Sequence, residues 1–116
     1  MNRTIISFLA VGIIASSLVF SCKKGKKLTP NCDGSKPTYN SGIKTIIDNN
    51  CTGSSCHVAG SPYGNFTSYA GMAPYINSGR FKVAVLEQQT MPKNKNLSQD
   101  ELNKLQCWAE NNYAEN

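Results

Sequence analysis

The spacing of apolar residues predicts one helix in the first half of the chain and another at its end. After Ser41, isoleucines recur on one face of a segment that ends at Asn49 and Asn50. Ser98 and Glu101 form a capping box, and the segment 98–113 carries apolar residues at helical spacing. Neither pattern alternates as a strand does, so both segments are predicted to be helices.

The residues between these two helices combine turn signals with short apolar stretches. Residues 58–65 are predicted to form a loop, and residues 66–76 a short helix. Residues 81–89 fit a helix or a strand, because their apolar residues satisfy both periodicities. Met91 and Pro92 then open a polar loop. The pattern therefore predicts two outer helices with a loop-rich middle.

The N-terminus has the features of an export signal. Arg3 supplies positive charge, and the apolar run Ile5–Phe20 is shorter than a typical membrane span. The segment resembles a bacterial lipoprotein signal, in which a small residue such as Ser21 precedes the cysteine that receives lipid. We expect residues 1–21 to be removed and Cys22 to be lipidated, which would anchor the domain on a membrane of the bacterial envelope, outside the cytoplasm. An uncleaved anchor helix and plain secretion are the alternatives.

The basic charge of the chain lies in this signal and in the segment after it. The whole chain has a net charge of +5, but residues 28–116 contain seven basic and seven acidic residues. Four lysines cluster in the predicted tether, residues 22–37: Lys23, Lys24, Lys26 and Lys27. Near a membrane surface, each attracts anionic headgroups by about 1 kcal/mol. A nucleic-acid-binding domain carries its charge on the folded surface, so we expect no nucleic-acid partner.

Cys51, Cys56 and His57 lie within one short segment, CTGSSCH, which contains the only histidine. Haem c attachment uses two thiols for the vinyl groups and an imidazole for the iron, usually as C-x-x-C-H. Here four residues separate the cysteines. These four are small, and Gly53 adds backbone freedom, so they can loop out. Met91 is the candidate second ligand, since methionine often completes such an iron site and raises its potential.

These motifs resemble bacterial class I cytochrome c domains, and more closely a lipoprotein-anchored subgroup whose haem cysteines are four residues apart. Three segments carry the resemblance: NSGIKTIIDNNC with the following CH, then GNFTSYAGM, then QQTMPKNKNLSQDELNKLQCWAENN. The resemblance covers roughly residues 38–114, nearly all of the chain after the signal. It implies a monohaem domain over residues 38–116 with a small, all-α, class I cytochrome c-like fold and a loop-rich middle around the haem. Its first and last helices would pack across each other.

The resemblance also implies the roles of individual residues. Cys51 and Cys56 would form the thioethers to one haem c, with His57 and Met91 as the axial ligands. Cys32 and Cys107 would then remain, and we expect a disulfide between them, which contributes roughly 4 kcal/mol in the chain-entropy model.

The resemblance further implies a function and partners. Such a protein would be an electron carrier and not an enzyme. Its partners would be membrane-bound or periplasmic redox proteins, and the lipid anchor would hold it on the membrane beside them. Cys56 and His57 are adjacent in sequence and so make a poor nucleophile–base pair, which also argues against an enzyme.

Four other interpretations stay open. Cys51, Cys56 and His57 with a further cysteine form a candidate zinc site, although adjacent Cys and His residues fit tetrahedral coordination of one ion poorly. Alternatively, the four cysteines after Cys22 form two disulfides in a haem-free lipoprotein that serves as an interaction module. A haem held by a single thioether at Cys56 is the third interpretation. The fourth is a haem sensor, if Met91 does not ligate the iron.

Overall fold

The computed structural model describes residues 26–116, which form helices joined by loops. The predicted signal and the predicted lipidation site, Cys22, lie outside these residues. No strand occurs in the described part of the chain, which confirms the predicted all-α fold. None of the helices among residues 26–116 has the length and hydropathy needed to cross a bilayer.

Three α-helices and three shorter helical segments make up the fold. The α-helices are α1 (Lys44–Asn50), α2 (Tyr69–Asn77) and α3 (Gln99–Glu110). A π-helical segment precedes α1, a 3₁₀ turn follows it, and a second π-helical segment lies between α2 and α3: Tyr39–Ile43, Gly53–Ser55 and Lys82–Glu87. The region that fits both a helix and a strand in sequence is therefore helical.

The first helical region begins earlier than the sequence pattern predicts. Thr38 is its N-cap, because the Thr38 side chain accepts a hydrogen bond from the backbone N–H of Ser41. The Ser41 hydroxyl in turn accepts from the backbone N–H of Thr38 at 2.8 Å. Ser41, which the sequence pattern predicted as the N-cap, is thus the N3 residue of the capping box. Gly42, at φ +126°, turns the chain between this segment and α1.

The capping box predicted for α3 is confirmed. The Ser98 hydroxyl accepts from the backbone N–H of Glu101 at 3.2 Å, and Glu101 accepts from the backbone N–H of Ser98 at 2.9 Å. The Ser98 backbone hydrogen bond also lowers the pKa of Glu101 below its ordinary value. The second Glu101 oxygen accepts from Asn50 Nδ2 at 2.9 Å, which ties the end of α1 to the start of α3.

Trp108 stands at the centre of the core and joins the two ends of the domain. Its side chain is fully buried. The ring centroids of Tyr39, Phe81 and Tyr113 lie 6.2, 5.9 and 5.0 Å from that of Trp108, and the centroids of Phe81 and Tyr113 lie 6.3 Å apart. The carbonyl of Ala114 accepts from both Trp108 Nε1 and the backbone N–H of Tyr39, each at 2.8 Å. The first and last helical regions are therefore in contact, as the resemblance implies.

Residues 28–37, which we call the N-terminal strap, lie along α3. Side chains at successive helical turns of α3 hold it, and the same spacing continues one residue past the helix. The four positions and their partners are Gln99 with the Thr29 carbonyl at 2.8 Å, Asn103 with the Asn31 N–H at 2.9 Å, Cys107 in a disulfide with Cys32, and Asn111 with the Pro37 carbonyl at 3.3 Å. The residue numbers of the strap rise in the same order as those of α3, so the strap and the helix run parallel.

The strap has two consequences for the sequence predictions. The predicted disulfide between Cys32 and Cys107 is present in the structure. The packed part of the chain begins at Leu28, well before the expected domain boundary at residue 38, because the Leu28 backbone binds the Gln89 side chain. Only the residues before Leu28 remain to connect the domain to Cys22.

Replacing both disulfide cysteines, Cys32→Ser with Cys107→Ser, is expected to lower the free energy of unfolding by about 4 kcal/mol. The reason is that the bond closes a loop with a sequence separation of 75 residues. Urea denaturation followed by circular dichroism measures the difference. A reductant should bring the original protein down to the level of the variant, and equal stability of the two without reductant would contradict the expectation.

Candidate functional site

The segment from Cys51 to His57 forms a closed loop directly after α1. The backbone N–H of His57 donates to the Cys51 carbonyl at 3.2 Å, so the first and last residues of the loop meet. The residues between the two cysteines form the 3₁₀ turn Gly53–Ser55, which ends where Cys56 N–H donates to the Gly53 carbonyl at 3.2 Å. The four residues between the cysteines therefore include a short 3₁₀ turn inside the closed loop.

The imidazole of His57 is held by one hydrogen bond and one stacked ring. Nδ1 lies 2.9 Å from the backbone carbonyl of Tyr63. A carbonyl only accepts, so in the neutral ring the proton is on Nδ1, and Nε2 keeps the lone pair that a metal requires. The Phe66 ring lies parallel to the imidazole at 4.1 Å, with an interplanar angle of 7°. The tautomer and the plane of the ring are thus both set by the fold.

The two cysteines of the loop differ in their surroundings. Cys51 packs against the core and is partly buried, whereas Cys56 is exposed. Burial raises the pKa of the Cys51 thiol to about 12. Its sulfur therefore stays protonated at neutral pH. Because the disulfide uses Cys32 and Cys107, both sulfurs of the loop are present as thiols.

Met91 lies in an open groove of about 680 Å³, which we call the Met91 groove. Its volume is within the range of about 300–1,000 Å³ that is usual for sites of small molecules and cofactors. Apolar side chains make up much of the wall: Leu28, Val85, Leu97 and Leu102. Exposed lysines border it: Lys26, Lys27 and Lys95. Met91 itself is partly buried against the core, so its thioether is sheltered on one side and open to the groove on the other.

The structure brings Cys51, Cys56 and His57 together and places Met91 in the neighbouring groove. None of the three loop residues lines the Met91 groove. One side chain connects the two regions, because the ammonium of Lys95, in the groove wall, donates to the Asn49 carbonyl at 2.7 Å. Asn49 comes two residues before Cys51. The loop that carries Met91 is thus attached to the end of α1, from which the cysteine loop starts.

The donor groups of these residues fit a haem of the c type. Two thiols and one imidazole with a free Nε2 lie on a single loop, and a thioether sulfur opens into the adjoining groove. In the described part of the chain, the group of three metal-binding side chains within 4.8 Å of one another is Cys32, Asp33 and Cys107. The sulfurs of Cys32 and Cys107 are bonded to each other in the disulfide. They are therefore not the thiolates that a zinc site needs. The loop residues do not form such a group.

Several residues of the site have no signal in the sequence. The acceptor for His57 is the backbone carbonyl of Tyr63, and every residue has such a carbonyl. Phe66 lies on the predicted second helix in sequence, but in the structure it precedes that helix, which Ser68 caps, and it stacks on His57. Lys26 and Lys27 could be placed at the Met91 groove only by knowing that the strap folds back onto the domain. Comparisons with protein families, curated proteins and solved structures find no match to this chain.

In the haem-free protein, Cys56 is expected to react with iodoacetamide much faster than Cys51 at pH 8. Burial keeps the Cys51 thiol protonated up to a pKa of about 12, and the thiolate is the reactive form. Peptide mass spectrometry over a time course gives the two rates, and the rate at Cys51 should keep rising with pH up to pH 10. Urea provides the control, because unfolding should make the rates equal. Equal rates in the folded protein would contradict the burial of Cys51.

Proposed function

We propose that this protein is a membrane-tethered monohaem c-type cytochrome that carries electrons. The observation that supports it most is the loop geometry of His57. Its Nδ1 donates to the Tyr63 carbonyl, which leaves Nε2 as a ligand atom, and the same loop holds two thiols. In a metal-binding histidine, the N–H of the other ring nitrogen usually donates a hydrogen bond to a carbonyl or carboxylate in this way.

Each residue of the site has a defined part in this proposal. Cys51 and Cys56 would hold the haem through two thioether bonds, and His57 Nε2 and the Met91 sulfur would be the axial ligands. When bound, the haem supplies a one-electron couple between Fe(III) and Fe(II). Met91 would shift that couple to higher potential than a second histidine would. Because His57 and Met91 would both bind the iron, it would offer no open position to a substrate, and the protein would be a carrier and not an enzyme.

The fold supports this role by fixing the ligands in advance. The hydrogen bond to Tyr63 and the stacked Phe66 ring limit rotation of the imidazole, so the ring would need little further ordering when it binds the haem iron. The residues of the wide gap form a 3₁₀ turn, Gly53–Ser55, between the two cysteines. Ser55 in this turn has φ +61°, a left-handed conformation that is uncommon for residues other than glycine.

The proposed anchor gives the electron carrier its partners. Lipid at Cys22 would keep the domain on an envelope membrane, where it would meet membrane-bound or periplasmic redox proteins. Tethering replaces free diffusion by a high effective concentration near the surface. The short connection before Leu28 would keep the domain close to that surface.

The test of this function is whether haem is attached to the loop peptide. We expect the full chain, exported in a host that matures c-type cytochromes with this cysteine spacing, to yield one peptide carrying haem on Cys51 and Cys56. Replacing either cysteine by serine should leave at most one thioether. The control Thr52→Ser changes the same loop but leaves both thiols and the hydroxyl that donates to the Asp48 carbonyl, and it should keep the haem. A chain that folds and is exported without haem would contradict the proposal and favour the disulfide-stapled lipoprotein.

The role of Met91 has a separate test. In Met91→Leu, the iron should lose one axial ligand, so the reduced protein should bind carbon monoxide, whereas the original protein should not. Met72→Leu is the control, because Met72 is fully buried in the core and a leucine of similar volume costs less than about 1.5 kcal/mol there. Visible spectra with and without carbon monoxide give the answer. Binding of carbon monoxide by the original protein would favour the haem sensor.

A further inference from the structure

The Met91 groove differs from the rest of the surface in its charge. Among the residues that line it are Lys26, Lys27 and Lys95, and none is acidic. Three lysines outside the groove are paired with carboxylates, Lys44 with Asp48, Lys82 with Glu87 and Lys104 with Asp100, whereas Lys36 and Lys93 form no ion pair among the described residues. Within residues 26–116, no ion pair involves a groove lysine. The groove therefore keeps an uncompensated positive rim around an apolar wall.

The strap holds part of this rim in place. The Gln89 side chain accepts from the Leu28 N–H at 3.2 Å and donates to the Leu28 carbonyl at 2.6 Å. Gln89 also lines the groove, next to Met91. This two-point attachment fixes the backbone at Leu28, and with it the point from which Lys27 and Lys26 extend. The two lysines thus lie at the groove because of specific contacts, although they belong to the basic segment before the domain.

The length of chain before the strap limits how far the groove lies from the membrane. Cys22 is four residues before Lys26. Four steps between Cα atoms span at most about 15 Å, since each step is about 3.8 Å. With an uncleaved anchor helix, Phe20 is six residues before Lys26 and the limit is about 23 Å. With either kind of anchor, the described chain begins at the groove and within this distance of the lipid surface.

We propose that the Met91 groove is the face of the domain that docks on the membrane, with anionic lipid headgroups bound between Lys26, Lys27 and Lys95. This inference rests on the membrane attachment in the proposed function, but it does not depend on haem. The phosphates of the headgroups complement the charge of the lysine rim and would bind at its outer edge, which leaves the groove beside Met91 to the haem. The ion-paired lysines of the other faces have less charge to offer.

Docking in this way would orient the site as well as the domain. Met91, the proposed iron ligand, opens into the groove and would face the membrane. Electrons would then pass most directly between this side of the site and partners embedded in the membrane.

The experiment is lysine footprinting of the full lipoprotein in nanodiscs. Sparse acetylation is compared between phosphatidylglycerol and phosphatidylcholine discs and is read by peptide mass spectrometry. We expect acetylation of Lys26, Lys27 and Lys95 to slow several-fold in the anionic discs, with Lys36 and Lys104 unchanged. Equal rates in both discs, or protection of Lys36 and Lys104 instead, would overturn the docking face. The lipid on Cys22 and the haem content are measured on the same samples, so failure of the tether or of haem attachment is seen separately.

Two triple variants separate headgroup binding from the effect of the tether. Lys93 is exposed on the loop after Met91 and serves as the reporter in both. In Lys26→Gln, Lys27→Gln and Lys95→Gln, protection of Lys93 by anionic lipid should be lost. The matched control, Lys36→Gln, Lys44→Gln and Lys104→Gln, removes the same charge from other faces and should keep it. Protection that persists in the groove variant would show that the tether alone positions the domain, and would overturn the proposal.

Discussion

The hydrogen bond between His57 Nδ1 and the Tyr63 carbonyl determines what the cysteine loop can bind. Without it, the imidazole could place its proton on either nitrogen and rotate freely. With it, and with Phe66 stacked on the ring, one nitrogen is presented as a ligand atom beside two thiols. The loop closes on itself through the bond from His57 to Cys51, and Tyr63 and Phe66 follow His57 within nine residues, so this arrangement is set by a local part of the chain.

The second constraint is the attachment of the N-terminal strap to α3. Four side chains, about one helical turn apart, hold the strap, and one of them is a disulfide cysteine. A domain of this size buries little core, so a covalent link between its two ends adds stability that packing alone does not supply. The same strap places Lys26 and Lys27 at the Met91 groove. Stability and orientation on a membrane would therefore depend on one structural element.

The sequence predicted the features that arise from local chemistry. The α3 capping box needs only Ser98 and Glu101, three residues apart, and the chain places them correctly. The start of the first helix was predicted three residues late, because the left-handed conformation of Gly42 cannot be read from an apolar pattern. The strap was expected to be a tether, since its contacts join side chains to backbone atoms far away in sequence and have no periodicity. The pairing of Cys32 with Cys107 followed from the resemblance and not from the spacing of the cysteines.

The measurement that tests the central claim most directly is a pyridine haemochrome spectrum of protein exported with its own signal. Pyridine in alkali unfolds the chain and replaces the axial ligands, so the spectrum depends only on how the haem is attached. We expect the band of a haem with both vinyl groups saturated, which requires Cys51 and Cys56 together. A band shifted by one remaining vinyl group would reduce the attachment to one thioether. Protein without bound haem, from a host competent for this spacing, would contradict the cytochrome assignment.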